Sequence, residues 1–199
     1  MPRRLVFWVL ALACLVATEA GAASPFDPDD RYGGGAPVGR GYRLFGGGGG
    51  ASSPVPRANV SYPNNYAAGT IVINTAERRL YLIVDQTQAI RYGIGVGRPG
   101  FAWSGVRTVS MKREWPDWTP PEQMLRRRPD LPRHMAGGPD NPLGARAMYL
   151  GSSLYHIHGS NEPETIGQAV SSGCFRLTNE DVIDLYNRTP IGATVIVQR

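Results

Sequence analysis

A thiol, an imidazole and a guanidinium lie within one short reach of chain. The stretch His158-Gly159-Ser160-Asn161-Glu162-Pro163 is followed by Val170-Ser171-Ser172-Gly173-Cys174-Phe175-Arg176-Leu177. A cysteine attacks as its thiolate, so it needs a base or a lowered pKa. Imidazole titrates near neutral pH and can accept that proton. His158 lies sixteen residues before Cys174, at the end of a β-rich run, and a returning loop of that length can bring the two side chains together. Gly173 permits a tight backbone and close approach by a substrate. Backbone N–H groups beside it can form an oxyanion hole. Arg176 lies two residues beyond Cys174, and in an extended segment such positions share a face. There its guanidinium can lower the thiol pKa and hold a substrate carboxylate in bidentate fashion. The pattern fits nucleophilic thiol chemistry, although by spacing alone an inert buried cysteine fits as well.

Other chemistries compete for the same residues. His156 and His158 form a His-x-His pair on one strand face, which is a metal-ligand spacing. A zinc hydrolase would need a third ligand, Cys174 or His134. The Gly-Cys-Phe-Arg context is better explained by thiol chemistry, which leaves His156 to packing or to a contact behind the reacting groups. Arg126-Arg127-Arg128 could meet an anion, but a solvated loop face is the simpler reading. Arg146 and Ser172 are further substrate-contact candidates, and Trp103, Trp115 and Trp118 read as anchors of loops.

The elements that must position these groups are mostly short strands. Thr70–Asn74, Arg79–Val84, Ala89–Val96, Val106–Met111, Ala147–Leu150, Leu154–His158 and Thr194–Val197 are β-rich or alternate with period two. One helix is expected after Thr178, its cap, with Glu180 and Asp181 in the first turn and Val182, Leu185 and Tyr186 on one face. Asn187 to Pro190 ends it. The expected fold is mainly β, a sandwich or open barrel with one short C-terminal helix. Residues 112–146 break the rhythm. Two tryptophans there argue for an ordered loop packed over or beside a binding groove.

The chain has 199 residues, of which 42% are apolar and 19% charged, with a formal net charge of +5. That composition supports one core and excludes a highly charged disordered chain. Gly (25) and Pro (17) are too many for an all-helical protein. Two cysteines cannot build a disulfide scaffold or a Cys-rich zinc module. Met1 to Ala23 reads as a secretory signal: Arg3 and Arg4, then an apolar run from Leu5 to Val16, then the small residues Ala20-Gly21-Ala22-Ala23. That run is short for a membrane span. An uncleaved anchor, or a lipoprotein acylated at Cys14, fits these residues less well. Residues 24–68, rich in Gly and Pro, are expected to be a flexible tether. Residues 69–199 are the expected folded domain, exported, with Cys174 as its one thiol. Export argues against a nucleic-acid partner.

His-Gly-Ser-Asn followed by Ser-Ser-Gly-Cys-Phe-Arg-Leu closely resembles the signature of the YkuD-type L,D-transpeptidases, bacterial envelope enzymes that remodel peptidoglycan. The resemblance runs from about Gly69 to Arg199 and includes Asn141-Pro142-Leu143-Gly144 and the terminal valine-rich strand. It implies a YkuD-like sandwich with a long loop over the active-site groove. It implies Cys174 as nucleophile and His158 as general base or acid, with the backbone carbonyl of Gly159 orienting the imidazole. Many members have His directly before Gly-Cys, where this chain has Ser172. The implied reaction attacks a tetrapeptide stem at its third residue, releases D-Ala, and passes the acyl group from a Cys174 thioester to an amine, giving a 3→3 cross-link. Water as acceptor would make an L,D-carboxypeptidase, and a protein amine would anchor an envelope protein. No metal or organic cofactor is required, and no stable membrane insertion is expected after signal cleavage. The location would be the periplasm or cell envelope. A different class remains: a non-catalytic peptidoglycan-binding protein, supported by the basic charge and the Trp-rich loop.

Overall fold

The computed structural model describes residues 53–199; the expected signal segment and most of the expected tether lie outside the described residues. Three strands, β2 (Ile71–Asn74), β3 (Arg79–Ile83) and β4 (Gln88–Gly93), form a meander through two tight turns. The second turn is closed by the Asp85 carboxylate, which accepts from the N–H of Thr87 at 2.7 Å and of Gln88 at 2.9 Å. A short polar side chain that bonds the backbone two residues on favours such a turn over continued strand.

The terminal strand β11 (Thr194–Gln198) runs parallel to β2 and antiparallel to β6 (Gly105–Glu114). Strand β6 is long, and its register shifts between Val109 and Met111. Its first half pairs with β11 and its second half with β7 (Arg146–Leu150). A bulge bends a strand and lets it serve two sheet halves. Next come β8 (His156–His158), antiparallel to β7, and β10 (Phe175–Arg176), parallel to β8. A separate pair joins β5 (Val96–Gly97) to β9 (Ala169–Ser171). The result is mainly β, as expected.

The core fills the space between the halves. Ile71, Ile73, Leu80 and Tyr92 face Met148, Leu150, Ile157 and Phe175, and Val182 and Leu185 of helix α2 (Asn179–Arg188) pack on them. The helix is capped as expected, with Thr178 Oγ1 accepting from the N–H of Asp181 at 3.2 Å. At its other end Lys112 Nζ donates to the carbonyls of Tyr186 and Thr189, both at 2.6 Å. A cation there satisfies open carbonyls and complements the helix dipole.

The folded unit starts before residue 69. Ala58–Ser61 form β1, antiparallel to β4 at the sheet edge, and Tyr62 stacks on Tyr81 with ring centroids 4.6 Å apart. Residues 58–61, inside the stretch expected to be a tether, thus belong to the folded unit. Strand β1 escapes notice because only alternate residues are even half-buried, so it lacks an apolar run. Residues 115–145 do form the expected ordered loop. It contains a short helix, α1 (Glu122–Arg127), and Trp118 and Met135 exchange backbone hydrogen bonds at 2.8 Å. No helix among the described residues is long and apolar enough to cross a membrane.

Candidate active site

Strands β8 and β10 bring the chemistry together. Their parallel register pairs Phe175 with Ile157 and Arg176 with His158. Ile157 and Phe175 are buried in the core. Alternation then places His156, His158, Cys174 and Arg176 on the opposite face. All four line one cavity of about 590 Å³. The loop roofs part of it with Trp118, Met124 and Leu143.

The cysteine turn is held from several sides. Gly173 has φ +105°, a left-handed backbone that glycine adopts without strain. The Ser171 hydroxyl donates to the Cys174 carbonyl at 2.6 Å and accepts from the Gly173 N–H at 3.1 Å. That N–H is thereby engaged and is not a spare oxyanion donor. Trp103 Nε1 donates to the Gly173 carbonyl at 2.9 Å and its ring stacks on Tyr155 at 4.5 Å. Trp103 is an anchor, as its sequence context suggests. Arg176 is locked by reciprocal backbone bonds with Gly95 at 2.9 and 3.0 Å.

The sulfur also touches the other histidine of β8. Cys174 Sγ lies 3.8 Å from His156 Nδ1 and 3.7 Å from the Leu154 carbonyl. The His158 ring makes its hydrogen bond through Nδ1 to the Gly159 carbonyl at 2.6 Å. A carbonyl can only accept, so Nδ1 carries the proton and the neutral ring has its lone pair on Nε2. Burial lowers the pKa of His158 to about 3, helped by Arg176 and His156, with the Gly159 bond opposing. Burial lowers His156 to about 4. Burial also pushes the Cys174 thiol up to about 11, against a backbone hydrogen bond from His156 and the charge of Arg176. Near pH 7 the resting site is thus a neutral thiol beside two neutral imidazoles.

The Arg176 guanidinium is mostly buried and bonds Glu162 at 3.1 Å, so the cavity holds an ion pair rather than an isolated cation. Ser172 lines the cavity with it. Arg146 is elsewhere. It sits opposite Glu114 in the β6–β7 ladder, bonds that carboxylate at 3.1 Å and lies over the Tyr186 ring. It braces helix α2 against the sheet and is not among the residues that line the cavity. His134 faces Asp117 at 3.6 Å. Among the described residues no group of three or more His, Cys, Asp or Glu could hold a metal ion.

Two residues have contacts that reading the motif did not give them. One is His156, whose proximity to sulfur depends on strand register. The other is Asn141, a buried clip of the loop: its amide donates to the carbonyls of Pro116, Met135 and Ala136, and its oxygen accepts from the Leu143 N–H at 2.9 Å. Its place in Asn-Pro-Leu-Gly, a turn-forming run, was the available signal.

A cysteine and two histidines around a roofed cavity on a mainly β sandwich define the class of site. The chain belongs to the YkuD family: the pattern described as "YkuD: L,D-transpeptidase catalytic domain" matches residues 68–197. "Probable L,D-transpeptidase ErfK/SrfK" of Escherichia coli (strain K12) is 40% identical over 132 residues, covering 63% of this chain and 42% of that protein. The chain thus spans less than half the length of that relative. A solved structure from Brucella melitensis, called a "Probable carnitine operon oxidoreductase caia", is 44% identical, with TM-score 0.50, covering 74% of this chain and 96% of that chain. L,D-transpeptidase 3 of Mycobacterium tuberculosis, at 20% identity, shares the fold with TM-score 0.52, covering 65% of this chain and 60% of that chain.

Proposed function

We propose that this chain is an exported, cysteine-dependent peptidoglycan L,D-transpeptidase. Cys174 attacks the carbonyl of the third residue of a tetrapeptide stem. The C–N bond to D-Ala breaks, and a thioester forms. An amine from a neighbouring stem, or from an envelope protein, then takes the acyl group and frees the sulfur. The thioester divides one difficult exchange into two easier steps. His158 is the acid–base partner of the exchange: its Nδ1 is fixed on Gly159, so Nε2 has the lone pair that takes the Cys174 thiol proton and passes it to the leaving D-Ala amine, and the same nitrogen relays the proton of the entering amine back to sulfur. The Arg176–Glu162 pair and Ser172 form the wall that meets the stem's charged groups.

The observation that carries this reading is the placement of Cys174 and the His158–Gly159 unit in one roofed cavity. The site would act in the periplasm, reached through the signal segment at residues 1–23. The test incubates the full chain with purified muropeptides and follows products by mass spectrometry. Cross-linked dimers with loss of D-Ala are expected, and Cys174→Ala abolishes them while keeping the wild-type melting curve. D-Ala loss without dimers would indicate water as acceptor. Neither product, or turnover by Cys174→Ala, would overturn the proposal.

A further inference from the structure

In peptidoglycan each stem hangs from a sugar of the glycan strand, so a site that acts on the stem must also accommodate the sugar. Three stem residues separate the reacting carbonyl from that sugar, about 10 Å of extended chain. The cavity around Cys174 holds about 590 Å³, and a sphere of that volume is itself only about 10 Å across. With the carbonyl at the sulfur, the saccharide lies outside, on the rim.

An exposed aromatic ring stands beside that rim. Trp103 is an anchor and Trp118 walls the cavity, but Trp115 is 42% exposed. It departs from the expectation that all three tryptophans anchor loops. Trp115 precedes the cavity-lining Asp117 by two residues, so at most about 7 Å of chain separates it from the wall. Its backbone is left-handed, with φ +41°, a conformation that is strained for a bulky residue. Asn or Gly there would relieve the strain and remove an exposed ring together, so stability alone does not account for a tryptophan. The backbone under the ring is fixed. The Trp115 N–H donates to the Ala145 carbonyl at 2.8 Å, and Pro116 beyond it is buried, its carbonyl bonded by Asn141 at 3.0 Å. Gly137 packs against the Trp115 carbonyl so closely that a Cβ would not fit. The Gly137 N–H in turn donates to Asp117 Oδ1 at 3.0 Å, and Asp117 Oδ2 faces His134 Nε2 at 3.6 Å. Asp117 and His134 are both exposed. A fixed indole beside exposed polar groups suits a pyranose: the C–H face of the sugar covers the ring, and its hydroxyls and acetamide bond the carboxylate and imidazole.

Taking its ligand from the peptidoglycan reading above, we propose that Trp115, with Asp117 and His134, is a saccharide-binding site on the rim of the cavity. It stacks on an N-acetylated pyranose of the glycan strand that carries the stem. The loop then has two tasks: Trp118 and Leu143 wall the stem, and Trp115 seats the sugar outside.

The test measures, by calorimetry, binding of the full-length chain to glycan strands freed of their stems by an amidase and to a neutral N-acetylglucosamine tetramer. The chains are the wild type, Trp115→Asn and Trp115→Tyr. Asn tolerates a left-handed backbone, so the Trp115→Asn melting curve should match or exceed that of the wild type. This variant should lose roughly 10-fold in affinity for both probes, because the sugar no longer covers an indole face. Trp115→Tyr should keep most of it. Binding should survive about 1 M salt, where attraction between the basic chain and the strands is screened. A wild type that binds neither probe, a Trp115→Asn variant with wild-type affinity, or binding lost in salt would overturn the proposal. A Trp115-dependent dimer would assign the ring to a second copy of the chain and overturn it too. A measurement on the wild type needs no variant: the Trp115 indole N–H resonance should move when the tetramer is added, and an unmoved resonance counts against the site. In turnover, Trp115→Asn should lower kcat/KM for glycan-linked stems roughly 10-fold relative to a free tetrapeptide; equal losses on both would mean that Trp115 only supports the loop. Trp115-dependent sugar binding without any muropeptide product would leave this site standing and refute the transpeptidase reading.

Discussion

Replacing Asn141 by Ala should open the loop over the site while leaving the sandwich intact. Asn141 is 1% exposed, and its amide contacts three carbonyls, those of Pro116, Met135 and Ala136. An amide has two N–H donors, so at least one is shared. Its oxygen holds the Leu143 N–H. The alanine variant orphans one buried N–H and up to three carbonyls. An orphaned buried donor costs about 1–3 kcal/mol, and carbonyls that keep partial solvation cost less. A net of about 3 kcal/mol corresponds to roughly 10²-fold in the closed-to-open ratio of the loop. Hydrogen exchange should therefore quicken across residues 115–145 and stay unchanged in β2, β3 and β11. Acylation of Cys174 should slow, because Trp118 and Leu143 no longer wall the cavity. Asn141→Asp should be worse, since it aims a carboxylate at carbonyl oxygens. An alanine variant with wild-type exchange in the loop would refute the clip argument. Faster exchange with wild-type acylation would refute the role of the roof.

Two further expectations follow from the site's dryness and its tight turn. The folded pKa values of His156 and His158, about 4 and about 3, lie below the ordinary imidazole value, so the unfolded chain binds protons first. Their contribution is present above about pH 6.5 and is lost as pH falls towards 4 and 3; Tm should drop by more than about 5 °C between pH 7 and pH 4.5. A flat Tm profile over that span would contradict the burial. Cys174, held up to about 11, has the opposite sign, and its contribution is lost as pH rises from about 9 towards 11. Gly173→Ala would put a Cβ 2.7 Å from the Tyr155 ring at a φ of +105°. It should cost about 1–3 kcal/mol and lower acylation at Cys174, measured by melting and intact mass; wild-type acylation would show that the turn tolerates repacking.

The meander, the terminal strand and the capped helix were legible because each has a strong local signal. Ile71–Asn74 and Thr194–Gln198 are β-branched runs, and Thr178 with Glu180, Asp181, Val182 and Leu185 is a cap followed by an apolar face. Strands β5, β9 and β10 were not, because each has three residues or fewer and is set by its neighbours rather than by its own periodicity. Helix α1 begins after two prolines and lacks a side-chain cap. The surroundings of Arg146 were not legible for a related reason. Its neighbourhood in sequence says nothing about which face of β7 it occupies, and the ladder turns it towards Glu114.

The same limit decides which imidazole meets the sulfur. Sequence alone places Cys174 and Arg176 on one face, and His156 and His158 on one face. The offset between the two pairs is a long-range property. Sliding β10 by two residues along β8 would keep every side chain on its present face and seat Cys174 opposite His158. Nothing within the His-x-His or Gly-Cys-Phe-Arg runs forbids that. The observed register is held from outside both: Gly95 brackets Arg176 on its free edge, Trp103 grips the Gly173 carbonyl, and Ser171 closes the turn. Trp103 and Ser171 are therefore positioning residues for the thiol, because they hold the segment that seats Cys174 in the cavity with both imidazoles. Trp103→Phe keeps an aromatic side chain but removes the Nε1 donor. It should lower the alkylation rate of Cys174 at pH 7 more than at pH 11, where the thiol no longer depends on a neighbouring base. An equal loss at both pH values would mean that Trp103 only packs.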